Sequence, residues 1–346
     1  MNILYSCDDK YSPYTGVSIT SLFESNKELD EINVYVLGLG LSELNLMKFK
    51  KLEETYSRRI TIIDAKEIDD YLAERGAKLW HSSRATFFRL FVQQVLPDDV
   101  ENILYMDSDI VIVDSLAELE NFEFEENKAC AMTYLRLFEG YNKYIGLKEN
   151  DKCYATATLF INMPNWRKLN CHERIMNNID KGYARFYAVD VDLASHTLQE
   201  NIQLLPAKYS VVPDWVEFGH PSNLLYYCDA DEKNYYSVQE LEDAVSNPVI
   251  LHCASGNTFV PWVKGSKHPF KQEWEAYKKI SLWKDIDQIE VKTNLRRKIQ
   301  IALYIILSQK WSQKWYCRIC KVNNKLRIHM HYKKNKLIWG VKSETK

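Results

Sequence analysis

Residues 102–116 read NILYMDSDIVIVDSL, and this stretch constrains the fold more than any other. Ile103-Leu104-Tyr105-Met106 is an apolar run of the kind that forms a buried strand, and Ile110-Val111-Ile112-Val113 is another. Between them stand Asp107, Ser108 and Asp109. A charge buried without a partner is costly, so two carboxylates in the seam between buried strands need a counter-charge. Residues two apart on a strand project to the same side, so at a strand end Asp107 and Asp109 can converge on one point. A hard divalent cation takes oxygen ligands and keeps positions open for phosphate oxygens. Asp and Ser are also ordinary turn residues, through local hydrogen bonds. The rest of the chain has to decide between a cation and a turn.

Strand and helix signals alternate around this stretch. Residues 3–7 (ILYSC) read as a first strand. Asp8-Asp9-Lys10-Tyr11 follows, then a helix with its N-cap expected at Ser12 and Pro13 in the first turn. Residues 33–38 and 59–64 read as further strands. Residues 41–56 between them are amphipathic, with Leu44, Met47, Leu52 and Tyr56 among the apolar positions. Residues 81–96 are expected as one helix with Phe87, Phe88, Phe91, Val92 and Val95 as core. Arg89 interrupts that set, and it either snorkels outward or meets an anion. Residues 128–133 and 158–163 read as strands, and the connection over 134–152 is long enough to cover or build a site. Asp190-Val191-Asp192 precedes an apolar-patterned segment, where a helix dipole favours carboxylates. PVILHC at 248–253 is a late strand reaching His252. The alternation predicts an α/β fold with a mainly parallel, doubly wound sheet. Such sheets bind ligands at the carboxyl ends of their strands, where Asp8 and Tyr11 also lie.

Charge is divided unevenly. Residues 291–346 hold fifteen Lys/Arg and one acidic residue, a tail near +14, against a body near −16. The tail also carries IQIALYIIL at 299–307 and Trp311, Trp315, Tyr316, Tyr332 and Trp339. Basic and aromatic residues around a short apolar run read as an interfacial helix that meets an anionic membrane surface. A solvated helical closure of the domain ranks second and nucleic acid last. No apolar run approaches the roughly 18 residues of a membrane span, and no signal peptide is expected, because Met1 leads directly into a strand. Eight scattered cysteines suit free thiols in a reducing cytosol. Cys317 and Cys320 read as two helix positions.

Taken together, these landmarks resemble the family 8 retaining glycosyltransferases, whose bacterial members include lipopolysaccharide galactosyl- and glucosyltransferases. The carriers are NILYSCDDKYSPY at 2–14, HSSRATFFRL at 81–90, NILYMDSDIVIVDSL, TLFINMPNW at 158–166, Asp190-Val191-Asp192 and HCASGNTFVPW at 252–262. The resemblance implies a GT-A fold over residues 1–285, with 286–346 as a basic, aromatic-rich C-terminal extension. It implies metal-dependent hexose transfer from a UDP-sugar to a glycan or lipid-linked oligosaccharide acceptor, in lipopolysaccharide or capsule synthesis. Mn²⁺ (or Mg²⁺) would be held by Asp107, Asp109 and His252. Nucleotide-sugar contacts map to Ser6, Cys7, Asp8, Tyr11, His81, Arg89, Asp107, Ser108 and Gly256, and catalytic work to Asp190 and Asp192. The expected location is cytoplasmic, peripheral on the inner face of the plasma membrane.

The chain departs from the family at four places. Ala155-Thr156-Ala157 stands where members carry Asn-Ala/Ser-Gly, and Val191 stands where a glutamine amide lies beneath the anomeric carbon. Val260-Pro261-Trp262 replaces Lys-Pro-Trp, the nearest lysines being Lys264 and Lys267, and Tyr134 replaces a frequent aspartate. The metal and nucleotide half is retained and the sugar and phosphate half is altered. The alternative expectation is a catalytically weakened relative acting as a binding or scaffold partner. A nucleotidyltransferase is a third, and it lacks a Gly-rich phosphate loop near residues 7–11.

Overall fold

The computed structural model describes residues 1–135, 141–148, 150–228, 230 and 235–307, with seven more between 318 and 330. Its strands are β1 (Asn2–Asp8), β2 (Asn33–Leu39), β3 (Ile60–Asp64), β4 (Asn102–Met106), β5 (Ile110–Ile112), β6 (Cys130–Tyr134), β7 (Tyr154–Asn162), β8 (Ile202–Leu204) and β9 (Ile250–His252). A seven-stranded sheet runs in the order β3-β2-β1-β4-β7-β6-β8. Its pairings are parallel except where β7 meets β4 and β6. The interior of β1 is buried throughout, as expected of a central strand covered on both faces. Ile3, Tyr5 and Cys7 pack into one core with Phe49, Leu104 and Trp283, and Leu4 faces the other with Phe87, Phe88 and Trp166.

From β1 the chain winds out through β2 and β3, then returns to place β4 on the far side of β1. This reversal opens a crevice between the carboxyl ends of β1 and β4. Asp8 ends β1, and Asp107 directly follows β4. The two apolar halves of 102–116 part company here. β4 joins the main sheet, whereas β5 pairs antiparallel with β9 in a second small sheet, with Ile110 opposite His252. Asp107-Ser108-Asp109 is the link between the two sheets.

Several elements differ from the sequence-based expectation. Residues 81–96 are not one helix: a 3₁₀ turn, Ala85–Phe91, leads into a short helix, Val92–Val95. His81 and Ser82 have φ of 46° and 74°, and Trp80 bridges back to Ser83, so no helix can begin before residue 85. The helix Ser12–Ser25 has Tyr11, not Ser12, at its N-cap. In the helix Glu43–Tyr56, Leu44 and Met47 are exposed while Asn45, Phe49 and Leu52 face inward. Asn45 is drawn in by hydrogen bonds to Asp9 Oδ1 (2.8 Å) and from Trp283 Nε1 (2.9 Å).

The chain closes by packing its later residues on the first helix. Trp283 is 1% exposed, and a Cβ on Gly16 would stand 2.1 Å from its ring. Ile289 pairs with Val263, so the expected boundary at 285 falls within a packed segment. The helix Leu295–Leu307 follows. Among the described residues no helix is long and apolar enough to cross a membrane. Cys317, Cys320 and the tail tryptophans lie outside the described residues. We expect Trp283→Ala to cost about 3–5 kcal/mol, the usual effect of emptying a buried tryptophan site. Urea unfolding measures it, and a loss below about 1 kcal/mol would show that the segment packs only loosely.

Candidate active site

Three side chains converge beside the β1/β4 crevice. Asp107 is fixed through its amide, which donates to Ala157 O of β7 (2.9 Å). Its Oδ1 accepts from the Tyr105 hydroxyl (2.8 Å) and pairs with Arg89 Nη2 (2.6 Å). The Asp109 carbonyl accepts from the Cys253 amide (2.7 Å), which locks β9 against β5 and sets His252. His252 Nε2 then lies 3.2 Å from Asp109 Oδ1 and 3.9 Å from Asp107 Oδ2. One ligand atom from each of the three lies within 4.8 Å of the others, the one such group found among the described residues. Two carboxylate oxygens and an imidazole nitrogen at this spacing fit a divalent cation with open positions. Burial pushes Asp107 above the ordinary carboxylate range despite Arg89. Burial opposes ionisation of Asp109 too, but His252 outweighs it and holds Asp109 low. Burial also works against the His252 cation, and Asp109 and Asp107 overcome it and raise its pKa.

The hydroxyls around the cluster build it. Thr15 Oγ1 donates to Ser108 Oγ (2.8 Å), which donates to Ser6 O (3.1 Å). Ser6 Oγ stands 2.9 Å from both the Tyr105 hydroxyl and Ala85 O. Cys7 is buried, and burial pushes its thiol up to about 11, so it stays neutral. Asp8 Oδ1 accepts the Tyr11 amide (3.0 Å), and the Tyr11 ring meets Tyr14 edge-on at 5.4 Å. His81 lies apart from this network, on the exposed turn 80–83 with its ring edge-on to Trp80. Gly256 sits against Glu217: a Cβ there would lie 2.4 Å from Glu217 Oε2.

A second wall comes from β7 and the helix Val189–Leu198. The β6/β7 ladder shifts register between Met132 and Thr133, a bulge in which residues 156–158 have no partner on β6. Thr156 thereby donates its hydroxyl to Asp190 Oδ2 (2.7 Å), and its carbonyl accepts from Arg89 Nη1 (2.6 Å). Thr86 donates to Asp190 Oδ1, and Arg89 Nε lies 3.3 Å from Asp190 Oδ2. Arg89 does not snorkel. It is 3% exposed, and although burial opposes its charge, Asp107 and Asp190 hold the cation in place. Sequence reasoning missed Thr86 and Thr156. The signal was present, since the segment that loses an amide at Ala155 gains a hydroxyl one residue later.

Asp192 is placed differently. Its two oxygens accept from the Tyr141 hydroxyl (2.9 and 2.7 Å), and Oδ2 also accepts the Ala188 amide (2.7 Å). Burial pushes it up to about 7. Its bonds tie the long connection before β7 to the helix Val189–Leu198.

A mainly parallel sheet with a carboxylate site at the strand-order reversal is the GT-A architecture of nucleotide-sugar transferases. Residues 2–264 match Glycosyl transferase family 8, and the chain belongs to that family of glycosyltransferases. It is similar to General stress protein A of Bacillus subtilis, 24% identical over 83% of this chain and 96% of that protein. It is also similar to the lipopolysaccharide 1,2-glucosyltransferase of Escherichia coli K12, 21% identical over 85% of this chain and 82% of that one. Among solved structures, the galactosyltransferase LgtC with donor and acceptor sugar analogues superimposes with a TM-score of 0.66 at 18% identity. That match covers 87% of this chain and 100% of LgtC, and it bears on the fold.

The Asp192 environment generates a pH prediction. Unfolded, an aspartate titrates near about 4. With a native value pushed up to about 7, the folded state holds the extra proton between those limits. Stability therefore falls as pH rises across that window. Asp192→Asn should flatten the fall, with a remainder from Asp214, which burial also pushes up to about 7. Thermal melts at intervals from pH 4 to 8 read this, and identical slopes in the two proteins would refute it.

Proposed function

We propose that this glycosyltransferase moves a hexose-type sugar from a UDP-sugar to a glycan or lipid-linked acceptor with retention of configuration, in a metal-dependent reaction. The observation that carries the reading is the convergence of Asp107, Asp109 and His252 at the carboxyl-end crevice between β1 and β4. Mn²⁺ or Mg²⁺ held by these three would supply Lewis-acid stabilisation of the departing diphosphate. Asp8 and Tyr11, at the end of β1, bind the uridine. Arg89 keeps Asp107 and Asp190 in register with each other. Asp190 orients the donor sugar, its own direction fixed by Thr86 and Thr156. Val191 has no nucleophilic atom, so the acceptor oxygen attacks on the face the diphosphate leaves. The bond from the anomeric carbon to the diphosphate breaks, the bond to the acceptor oxygen forms, and the acceptor proton passes to the diphosphate. Asp192, with both oxygens committed, positions the connection that carries Tyr141.

The altered residues Ala155, Val191 and Tyr134 put apolar surface near the sugar, which suits a less hydroxylated or acetamido hexose better than a fully hydroxylated one. Among UDP-sugars screened for hydrolysis, turnover should require Mn²⁺ or Mg²⁺. In calorimetry, UDP should bind more tightly with Mn²⁺ than in excess chelator, and Asp109→Ala should remove that difference. Equal UDP affinity with and without metal in the wild type would sink the metal site. UDP binding without turnover of any sugar would favour the scaffold alternative.

We also propose that the basic tail docks the enzyme peripherally on the cytoplasmic face of an anionic membrane, where lipid-linked acceptors reside. Support comes from its charge near +14 and from Ile299, which stands half exposed on the helix Leu295–Leu307. The side chains of Leu303, Ile306 and Leu307 lie outside the described residues. The full chain should sediment with anionic vesicles at low salt and leave neutral ones in solution. Binding should weaken as the Debye length falls from about 10 Å at 0.1 M to about 3 Å at 1 M. Indifference to anionic vesicles at low salt would rule the docking out.

A further inference from the structure

The loop over residues 254–259, just past His252, has its backbone held by side chains from other parts of the chain. His268 accepts the Phe270 amide at Nδ1 (3.1 Å), so its proton is on Nε2, which donates to Ala254 O (3.0 Å). Ser266 Oγ donates to Phe259 O (2.5 Å). Glu217, 4% exposed at the end of the short helix Pro213–Glu217, accepts the Asn257 amide (2.6 Å) and the Thr258 hydroxyl (3.3 Å). From the opposite direction Arg297, in the first turn of the helix Leu295–Leu307, donates from Nη2 to Gly256 O (3.3 Å) and Thr258 O (3.2 Å). Its guanidinium lies 5.5 Å from the centre of the Phe259 ring. Tyr304, further along the same helix, packs on the core that contains Trp215 and Phe218. Surface loops ordinarily leave such groups to water. At Gly256 the absence of a Cβ lets the Glu217 carboxylate lie against the loop, and a side chain there would have to displace it.

We propose that Glu217 and Arg297 are positioning residues that hold residues 254–259 in a donor-ready shape, which makes the first turn of the C-terminal helix a working part of the donor site. The inference rests on the reading of His252 and Gly256 given above. A loop already ordered spares the donor the entropic cost of ordering it. Glu217 sits in an aromatic stretch (Trp215, Phe218), where an uncompensated carboxylate would be costly. The amide and hydroxyl that satisfy it are those of the loop. Arg297 serves two carbonyls through one planar group, a task a lysine ammonium can do only in part.

The test uses the full chain and four variants: Arg297→Ala, Arg297→Lys, Glu217→Ala and Glu217→Gln. Hydrogen exchange without ligand should show faster exchange at residues 254–259 in both alanine variants, with exchange in β1 and β4 unchanged. Hydrogen bonds to a charged group suggest that UDP, titrated at saturating Mn²⁺, should bind about tenfold more weakly to Arg297→Ala. Donor KM in the hydrolysis assay should rise in step while kcat stays near wild type, because neither residue touches the reacting atoms. Arg297→Lys and Glu217→Gln should each recover part of the loss. Unchanged loop exchange in Arg297→Ala overturns the inference. So does a kcat loss at constant KM, or a Lys variant no better than Ala. Wild type that binds no UDP overturns the donor reading and this inference with it. Wild type that binds UDP no better than Arg297→Ala overturns this inference alone.

Discussion

One buried guanidinium joins the parts of this site. Arg89 is 3% exposed and reaches four different segments. It pairs with Asp107 after β4 and with Asp190 at the start of the helix Val189–Leu198. It also donates to Thr86 O within its own 3₁₀ turn and to Thr156 O in the β7 bulge. Without it the Asp107 and Asp190 carboxylates would lose the counter-charge they share, and breaking a buried pair such as Arg89–Asp190 typically costs about 3–5 kcal/mol. The turn Ala85–Phe91 explains how the charge gets there. Its phenylalanines and Leu90 fill the core, and the tighter 3₁₀ path directs Arg89 into the site.

The folded body does not end with the sheet. Trp283 wedges against Gly16 and Asn45, Ile289 returns to Val263, and Arg297 reaches Gly256 and Thr258. The segment 283–297 thus packs against both the first helix and the loop after His252. The helix Leu295–Leu307 is thereby tied to the body at its first turn.

Much of this was legible in the sequence, for identifiable reasons. Long β-branched runs announce buried strands, and Asp107, Asp109 and His252 were readable as a group because each ends or follows an apolar run and the family resemblance joins them. The fold followed from the strand–helix alternation and the family resemblance. What stayed hidden depends on contacts between residues far apart in the chain. That β5 leaves the main sheet is decided by its partner β9, some 140 residues later. Thr156 became visible only through the register shift opposite Thr133. Leu44 and Met47 misled because Asn45, polar but doubly bonded, took the inward face. Glu217 carried a faint signal as a lone acid in the aromatic run PDWVEF, whereas nothing adjacent to Arg297 pointed to the Gly256 loop.

The antiparallel strand β7 has a consequence for how such a site can diversify. It secures Asp107 through a main-chain carbonyl, Ala157 O, which is indifferent to the side chain at 157. The neighbouring Thr156 belongs to the bulge and has no partner on β6, and Ala155 stands at its edge, opposite Thr133. Substitution there can reshape the wall beside Asp190 while Asp107 keeps its anchor. The fold thus separates a main-chain anchor for Asp107 from the side chains that shape the wall beside Asp190, so the second can change without disturbing the first.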